Sequence, residues 1–125
     1  MHREALTVTG DGTETRDWTF VDDILNGVLA MGVKPEAIVE AINLGSGVEH
    51  RVIDLERIVN ELTGNVEGVV YTQRRDWDAK TRLFSSIAKA EELLSYYPQT
   101  TFEEGLKIYS SFVENWDDIE NTADF

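Results

Sequence analysis

Cysteine is absent from this chain, which excludes a disulfide framework and a thiolate metal site. Proline occurs only twice, so no proline-rich linker divides the sequence. Apolar runs are only a few residues long, far short of a membrane span, and Met1-His2-Arg3-Glu4 lacks the apolar stretch of a secretory signal. Basic residues are scarce: 11 Lys and Arg stand against 24 Asp and Glu, a net charge of −13. Such a chain repels nucleic-acid backbones and anionic lipid, so no nucleic-acid or membrane partner is expected. Cytoplasmic residence is the default expectation. The acid excess reads first as a solvated face that aids solubility.

What is present suits one domain. At 125 residues with 42% apolar content, the chain can bury a core without disulfides. Ala5 to Val8 is rich in β-formers and reads as a strand. Gly10-Asp11-Gly12 is a turn signal, and Thr15 to Phe20 is a second strand, so residues 5–20 read as a hairpin. Asp22 or Asp23 can cap a helix running to about Met31, with Ile24, Leu25, Val28 and Leu29 facing inward and Gly32 as its stop. Pro35-Glu36-Ala37 starts a helical turn. Val39 to Leu44 is the best candidate for a buried strand, broken by Gly45-Ser46-Gly47.

The pattern continues as mixed α/β. His50 to Ile53 is extended. Asp54 caps a helix carrying Leu55, Ile58, Val59 and Leu62 at spacings of 3 and 4, and Gly64 ends it. Gly68 to Thr72 is a strand, 73–82 a charged loop, and Arg82 to Phe84 extended. Ser85 or Ser86 starts a helix that turns Ile87, Ala90 and Leu94 inward, and Pro98 closes that unit. Thr101-Phe102-Glu103-Glu104 is a capping box. The last helix lines up Phe102, Leu106, Tyr109, Val113 and Trp116.

Arg16 lies in a strand suited to burial, beside Asp17. An arginine there costs stability unless its five donors find acceptors. Two roles satisfy it: an ion pair with Asp17 or another carboxylate, or a fork that grips a diphosphate. Arg74-Arg75 makes a local positive spot able to hold phosphate, or a solvated loop paired with nearby acids. Trp77 can stack on a base or sugar or pack against the last helix. His2 and His50 have no partners at metal-ligand spacing. No metal site is expected, and no catalytic pair stands out.

The segment Arg16-Asp17-Trp18-Thr19-Phe20-Val21-Asp22-Asp23, followed by Asn43-Leu44-Gly45-Ser46-Gly47, resembles the C-terminal part of the NAD-dependent sugar-nucleotide epimerases and dehydratases of the extended short-chain dehydrogenase/reductase family, the UDP-glucose 4-epimerases among them. Arg74-Arg75-Asp76-Trp77-Asp78 resembles that family's Arg-x-Gly-Asp loop, and Ser86-Ile87-Ala88-Lys89-Ala90 its following helix. Trp77 departs from the family's glycine, and the loop is one residue longer. The resemblance runs from about Leu6 to Trp116.

The resemblance implies a fold and a set of roles. The fold is α/β: a partial extended short-chain dehydrogenase/reductase unit, comprising the substrate-binding lobe plus one strand of the Rossmann sheet, Val39 to Leu44. Residues 1–125 would be the C-terminal substrate-binding portion, with the N-terminal NAD-binding Rossmann portion absent. Arg16 and Arg75 would contact the diphosphate of a nucleoside-diphosphate sugar and Asp78 its ribose, with Arg74 the alternative to Arg75. The family's Gly-Ser-Gly loop is structural. The family's Tyr-x-x-x-Lys pair has no match: Tyr71, Tyr96, Tyr97 and Tyr109 are followed at that spacing by Arg75, Thr100, Thr101 and Val113. No glycine fingerprint follows a strand and opens a helix. The expectation is therefore a substrate-binding part, not catalytically competent alone, that binds no cofactor itself although NAD serves the complete enzyme. The alternative is a stand-alone, non-enzymatic sugar-nucleotide-binding or protein-interaction module. Helices selected to pack on a missing sheet predict self-association or docking with a separate N-terminal Rossmann half.

Overall fold

The computed structural model describes residues 4–77 and 80–115. Asp78 and Trp116, singled out above, lie outside the described residues. The elements run β1 (Leu6–Thr9), β2 (Thr15–Arg16), α1 (Val21–Val33), a 3-10 turn (Pro35–Ala37), β3 (His50–Arg51), α2 (Val52–Thr63), β4 (Val69–Thr72), β5 (Arg82–Leu83), α3 (Ala88–Leu94) and α4 (Phe102–Glu114). The mixed α/β class follows directly.

The strands do not pair as a hairpin. β1 pairs in parallel with β4, Leu6 opposite Val69 through Thr9 opposite Thr72. β2 pairs antiparallel with β3 and parallel with β5. The turn between β1 and β2 explains the divergence. Gly10 and Gly12 both adopt positive φ, 86° and 76°, which only glycine accepts at little cost. Asp11 accepts from the Thr13 amide and hydroxyl, an Asx turn that redirects the chain. β2 is also shorter than expected, because Trp18 leaves the strand line to stack on Phe102, ring centroids 5.2 Å apart.

No strand forms at Val39 to Leu44. Val39 sits at φ 60° and is 99% exposed, and no described strand pairs with the segment. A strand is defined by its neighbours' hydrogen bonds, so an apolar, β-branched run without them stays irregular. α1 differs in the same sense. Of its four expected inward residues, Leu25, Val28 and Leu29 are 52%, 51% and 68% exposed. The helix passes through Gly32 and stops because Lys34, which precedes Pro35, is forced into extended backbone. Its N-cap is Phe20, not an aspartate. Asp22 and Asp23 lie in the first turn, where they meet the helix dipole.

Two further starts move by a turn. Asp54 is not the cap of α2; Arg51 holds that position, and Asp54 receives both arms of its guanidinium at 2.9 Å. α3 begins at Ala88 rather than at Ser85 or Ser86, because the Ser85 amide donates to Asp17 instead of entering a helix. Other local signals hold. Gly64 closes α2 at φ 61°, and Thr101 and Glu104 form the reciprocal capping box of α4.

The core lies where α3 meets α1 and the 3-10 turn. Ala90 and Leu94 are buried with Ala37 and Tyr96, and Ala30, Met31, Ile42, Leu44 and Ile87 pack around them. Gly27 makes this contact possible, since a Cβ there would lie 2.6 Å from Leu44 Cδ2. Along α4, by contrast, Tyr109 stays exposed.

Candidate functional site

The segment Glu14-Thr15-Arg16-Asp17 organises the site. Alternate side chains of an extended chain face opposite sides, and the contacts divide accordingly. Thr15 Oγ1 donates to Glu49 at 2.7 Å, and Asp17 reaches the Gly45-Ser46-Gly47 loop. Glu14 and Arg16 turn to the other side, toward the loop at 73–80. Glu14 is 5% exposed and pairs with Arg74 at 3.3 Å. Arg16 donates to the Thr15 carbonyl at 2.8 Å and to the Lys80 carbonyl at 3.4 Å.

Asp17 is the most heavily hydrogen-bonded side chain of the segment. Its Oδ1 accepts from the Ser46 amide at 2.9 Å, the Ser46 hydroxyl at 2.6 Å and the Thr19 hydroxyl at 3.2 Å. Its Oδ2 accepts from the amides of Gly47 at 3.2 Å and Ser85 at 3.3 Å. Burial pushes the Asp17 carboxyl up, but the bonds from Ser46, Gly47 and Ser85 outweigh it and hold the group below the usual aspartate value. Gly45 is required here, because a Cβ would meet Asp17 Oδ2 and Ser85 Cβ at 2.8 Å.

This arrangement decides the role of the glycine-serine loop. Its amides already hold an internal carboxylate, so the loop is a structural knot and not a phosphate cradle. The structural expectation for Gly45-Ser46-Gly47 is met. The signal that could have revealed Asp17 in the sequence is a carboxylate in an apolar strand, which must find donors somewhere in the fold.

A groove of about 580 Å³ opens beside β2, lined by Arg16, Asp17, Trp18, Val52, Leu83, Phe84 and Ser85. It combines the Arg16 guanidinium, with Asp17 and Ser85 beside it, and apolar and aromatic walls, a mix that suits a polar ligand carrying a flat ring. Arg74 and Arg75 do not line it. Arg74 is turned to Glu14. Arg75 is exposed, with its guanidinium 5.2 Å from the Trp77 ring centre. Trp77 itself is 76% exposed, so it does not pack into the core. His50 stacks on Phe102 at 4.3 Å, an ordinary packing role. Among the described residues no cluster of three or more His, Asp or Glu could hold a metal ion. Among them also, no helix is long and apolar enough to cross a membrane.

Tyr96 is built into the fold rather than poised for proton transfer. Burial raises its phenol pKa, and the charges of Asp23 and Asp17 raise it further. The hydroxyl donates to the Gly45 carbonyl at 3.0 Å. It stays protonated and ties α3 to the glycine loop.

Comparison with known proteins now bears on these residues. The family model described as GDP-mannose 4,6 dehydratase matches residues 1–109. An epimerase from Methanothermobacter thermautotrophicus is 61% identical, with a TM-score of 0.90 over 98% of this chain and 37% of its own. The UDP-glucose 4-epimerase of Thermotoga maritima, solved with UDP-glucose, is 30% identical at a TM-score of 0.83, over 90% of this chain and 36% of its own. The UDP-glucuronic acid 4-epimerase of Bacillus cereus, solved with UDP-glucuronic acid and NAD, is 26% identical at a TM-score of 0.82, again over 90% and 36%. The curated relatives extend well beyond this match as well, since the chain spans 33%, 24% and 31% of three of them.

Among the described residues, the glycine segments do not fit a seat for the NAD that the Bacillus cereus relative carries. Of the two Gly-x-Gly segments, Gly10-Asp11-Gly12 leads from β1 to β2 and opens no helix. The other, Gly45-Ser46-Gly47, is closed by Asp17. Neither offers amides to a pyrophosphate at a helix start, as a dinucleotide seat requires. Match and fold together place the chain in a family whose length it covers only in part: it belongs to the GDP-mannose 4,6 dehydratase family of NAD-dependent sugar-nucleotide epimerases and dehydratases.

Proposed function

We propose that this chain is the substrate-binding part of an NAD-dependent nucleoside-diphosphate-sugar epimerase or dehydratase, with Arg16 and Arg75 holding the diphosphate and Asp78 the ribose. The observation that carries this reading is the groove beside β2. Arg16 and Asp17 both line it, with the Asp17 carboxylate taken up by three backbone amides; Arg75 does not line it. A fixed guanidinium beside apolar walls selects an anion attached to a ring. The UDP-glucose held by the Thermotoga maritima relative belongs to that chemical class.

The sequence holds no Tyr-x-x-x-Lys pair, and among the described residues neither Gly-x-Gly segment forms a dinucleotide seat, so in this reading the chain's part is to bind and orient the substrate. The apolar surface of α1, Leu25, Val28 and Leu29, is where a separate Rossmann half or a second copy would dock.

Titration of the full chain with UDP-glucose by calorimetry tests the site. Binding should weaken about tenfold or more in Arg16→Ala and in Arg75→Ala, as expected for charge-assisted contacts to phosphate. Unchanged affinity in both variants would remove the basis of the assignment.

A further inference from the structure

The adjacent arginines Arg74 and Arg75 present the same side chain twice, and the structure treats them differently. Arg74 is half-buried against Glu14, whose carboxylate is almost fully enclosed, their side chains 32% and 6% exposed. Arg75 faces solvent over Trp77. We propose that Glu14 is a positioning residue: by holding Arg74 inward it fixes the start of the 73–80 loop and presents Arg75, rather than Arg74, to the diphosphate of the substrate. This rests on the substrate-site reading above and names what makes that site selective between two equivalent cations.

Four observations converge on it. Enclosing a carboxylate is costly unless a cation meets it, and Arg74 is the cation present. Space for the carboxylate is reserved by Gly10, where a Cβ would lie 2.4 Å from Glu14 Oε1 and where φ is 86°. The Glu14 backbone is itself anchored, its carbonyl accepting from the Val52 amide at 2.9 Å. The far end of the loop is held by the next two residues of the same segment. Thr15 donates its amide to the Thr81 carbonyl at 2.9 Å, and Arg16 reaches the Lys80 carbonyl. Glu14, Thr15 and Arg16 thus grip both ends of the loop that carries Arg75. With Arg74 drawn inward, its chain neighbour is turned out.

The test is a double-variant cycle on the full chain, read by calorimetry with UDP-glucose and by hydrogen exchange. Glu14→Gln keeps the shape and removes the charge. It should weaken binding about tenfold when Arg75 is present and add nothing to Arg75→Ala, the coupling expected of residues that act through one another. Amides of residues 73–82 should exchange faster in Glu14→Gln whether or not ligand is added. Arg74→Lys, which keeps a cation but loses the fork, should show the same pattern in weaker form and serves if Glu14→Gln does not fold. Equal losses with and without Arg75 would reduce Glu14 to a general stabiliser and overturn the proposal. Unchanged exchange in the loop would overturn it as well. If the unaltered chain binds no UDP-glucose, the substrate-site reading falls and takes the ligand-presenting role with it. The exchange experiment then still decides whether Glu14 orders the loop.

Discussion

Replacing Asp17 by asparagine removes one charge and half of the acceptor capacity at the junction of β2, β5 and the glycine loop. The side chain keeps one carbonyl oxygen. Placed at Oδ1, it still serves the Ser46 amide, the Ser46 hydroxyl and the Thr19 hydroxyl. Its new NH2 then faces the Gly47 and Ser85 amides, donor against donor. Two part-buried amides lose their acceptor, at about 1.5 kcal/mol each, so the change should cost about 3 kcal/mol. For a domain of this size that lowers the melting temperature by roughly 10 °C. The loss must also depend on pH in one direction. Asp17 is held below its ordinary pKa, so its contribution is complete above the unfolded aspartate value of about 3.9 and disappears as pH falls through the folded value. Asp11, Glu49, Asp54 and Glu104 are lowered too, chiefly by hydrogen bonds from Thr13, Arg82, Arg51 and Thr101 respectively. They act equally in both proteins and cancel in the difference. Urea titrations of the unaltered chain and Asp17→Asn between pH 7 and pH 3 should give a gap that is constant down to about pH 4 and narrows below it. A gap under about 1 kcal/mol at neutral pH, or one that fails to narrow in acid, would refute the reasoning.

Two other outcomes follow from packing. Gly27→Ala drives a methyl group into Leu44 and Tyr96, with contacts at 2.6 Å and 3.1 Å; urea titration should show a loss of about 2 kcal/mol, and a neutral result would mean that α1 and the 41–44 segment separate freely. Leu29, 68% exposed on α1, belongs to the surface assigned to a partner; sedimentation equilibrium should show concentration-dependent association of the unaltered chain that Leu29→Lys weakens, and a strictly monomeric unaltered chain would count against that surface.

Legibility in the sequence tracked how local each signal was. The Thr101–Glu104 box, the Gly64 stop and the inward placement of Ala90 and Leu94 depend on residues within a turn or two of one another, and the structure shows all of them. Strand pairing was not legible. Ala5 to Val8 reads as a strand from composition, but nothing in it names β4, more than 60 residues on, as its partner. Val39 to Leu44 and the face of α1 are the opposite case. The strand and the inward face they predict do not form: Val39, Leu25, Val28 and Leu29 stay exposed, while Ile42 and Leu44 reach the core without a strand. Of the site, Arg16 and Arg75 could be singled out by charge in an acidic chain. Asp78 lies outside the described residues.

The acceptors around Arg16 were the harder inference, and the reason is geometric. The neighbour in sequence, Asp17, is the obvious partner for an arginine in a strand. In an extended chain, however, successive side chains leave on opposite sides. Asp17 therefore meets the glycine loop, while Arg16 shares its side with Glu14 and the 73–80 loop. One consequence reaches the function. Because an internal carboxylate neutralises the amides of Ser46 and Gly47, the loop that looks most like a phosphate site is spent on structure. Under the proposed function, phosphate recognition would fall to side-chain guanidinium groups, Arg16 among them. That division puts a permanent anion and the proposed ligand-holding cation on adjacent residues without letting one cancel the other, which is what a strand offers and a helix, with neighbours fanned only 100° apart, does not.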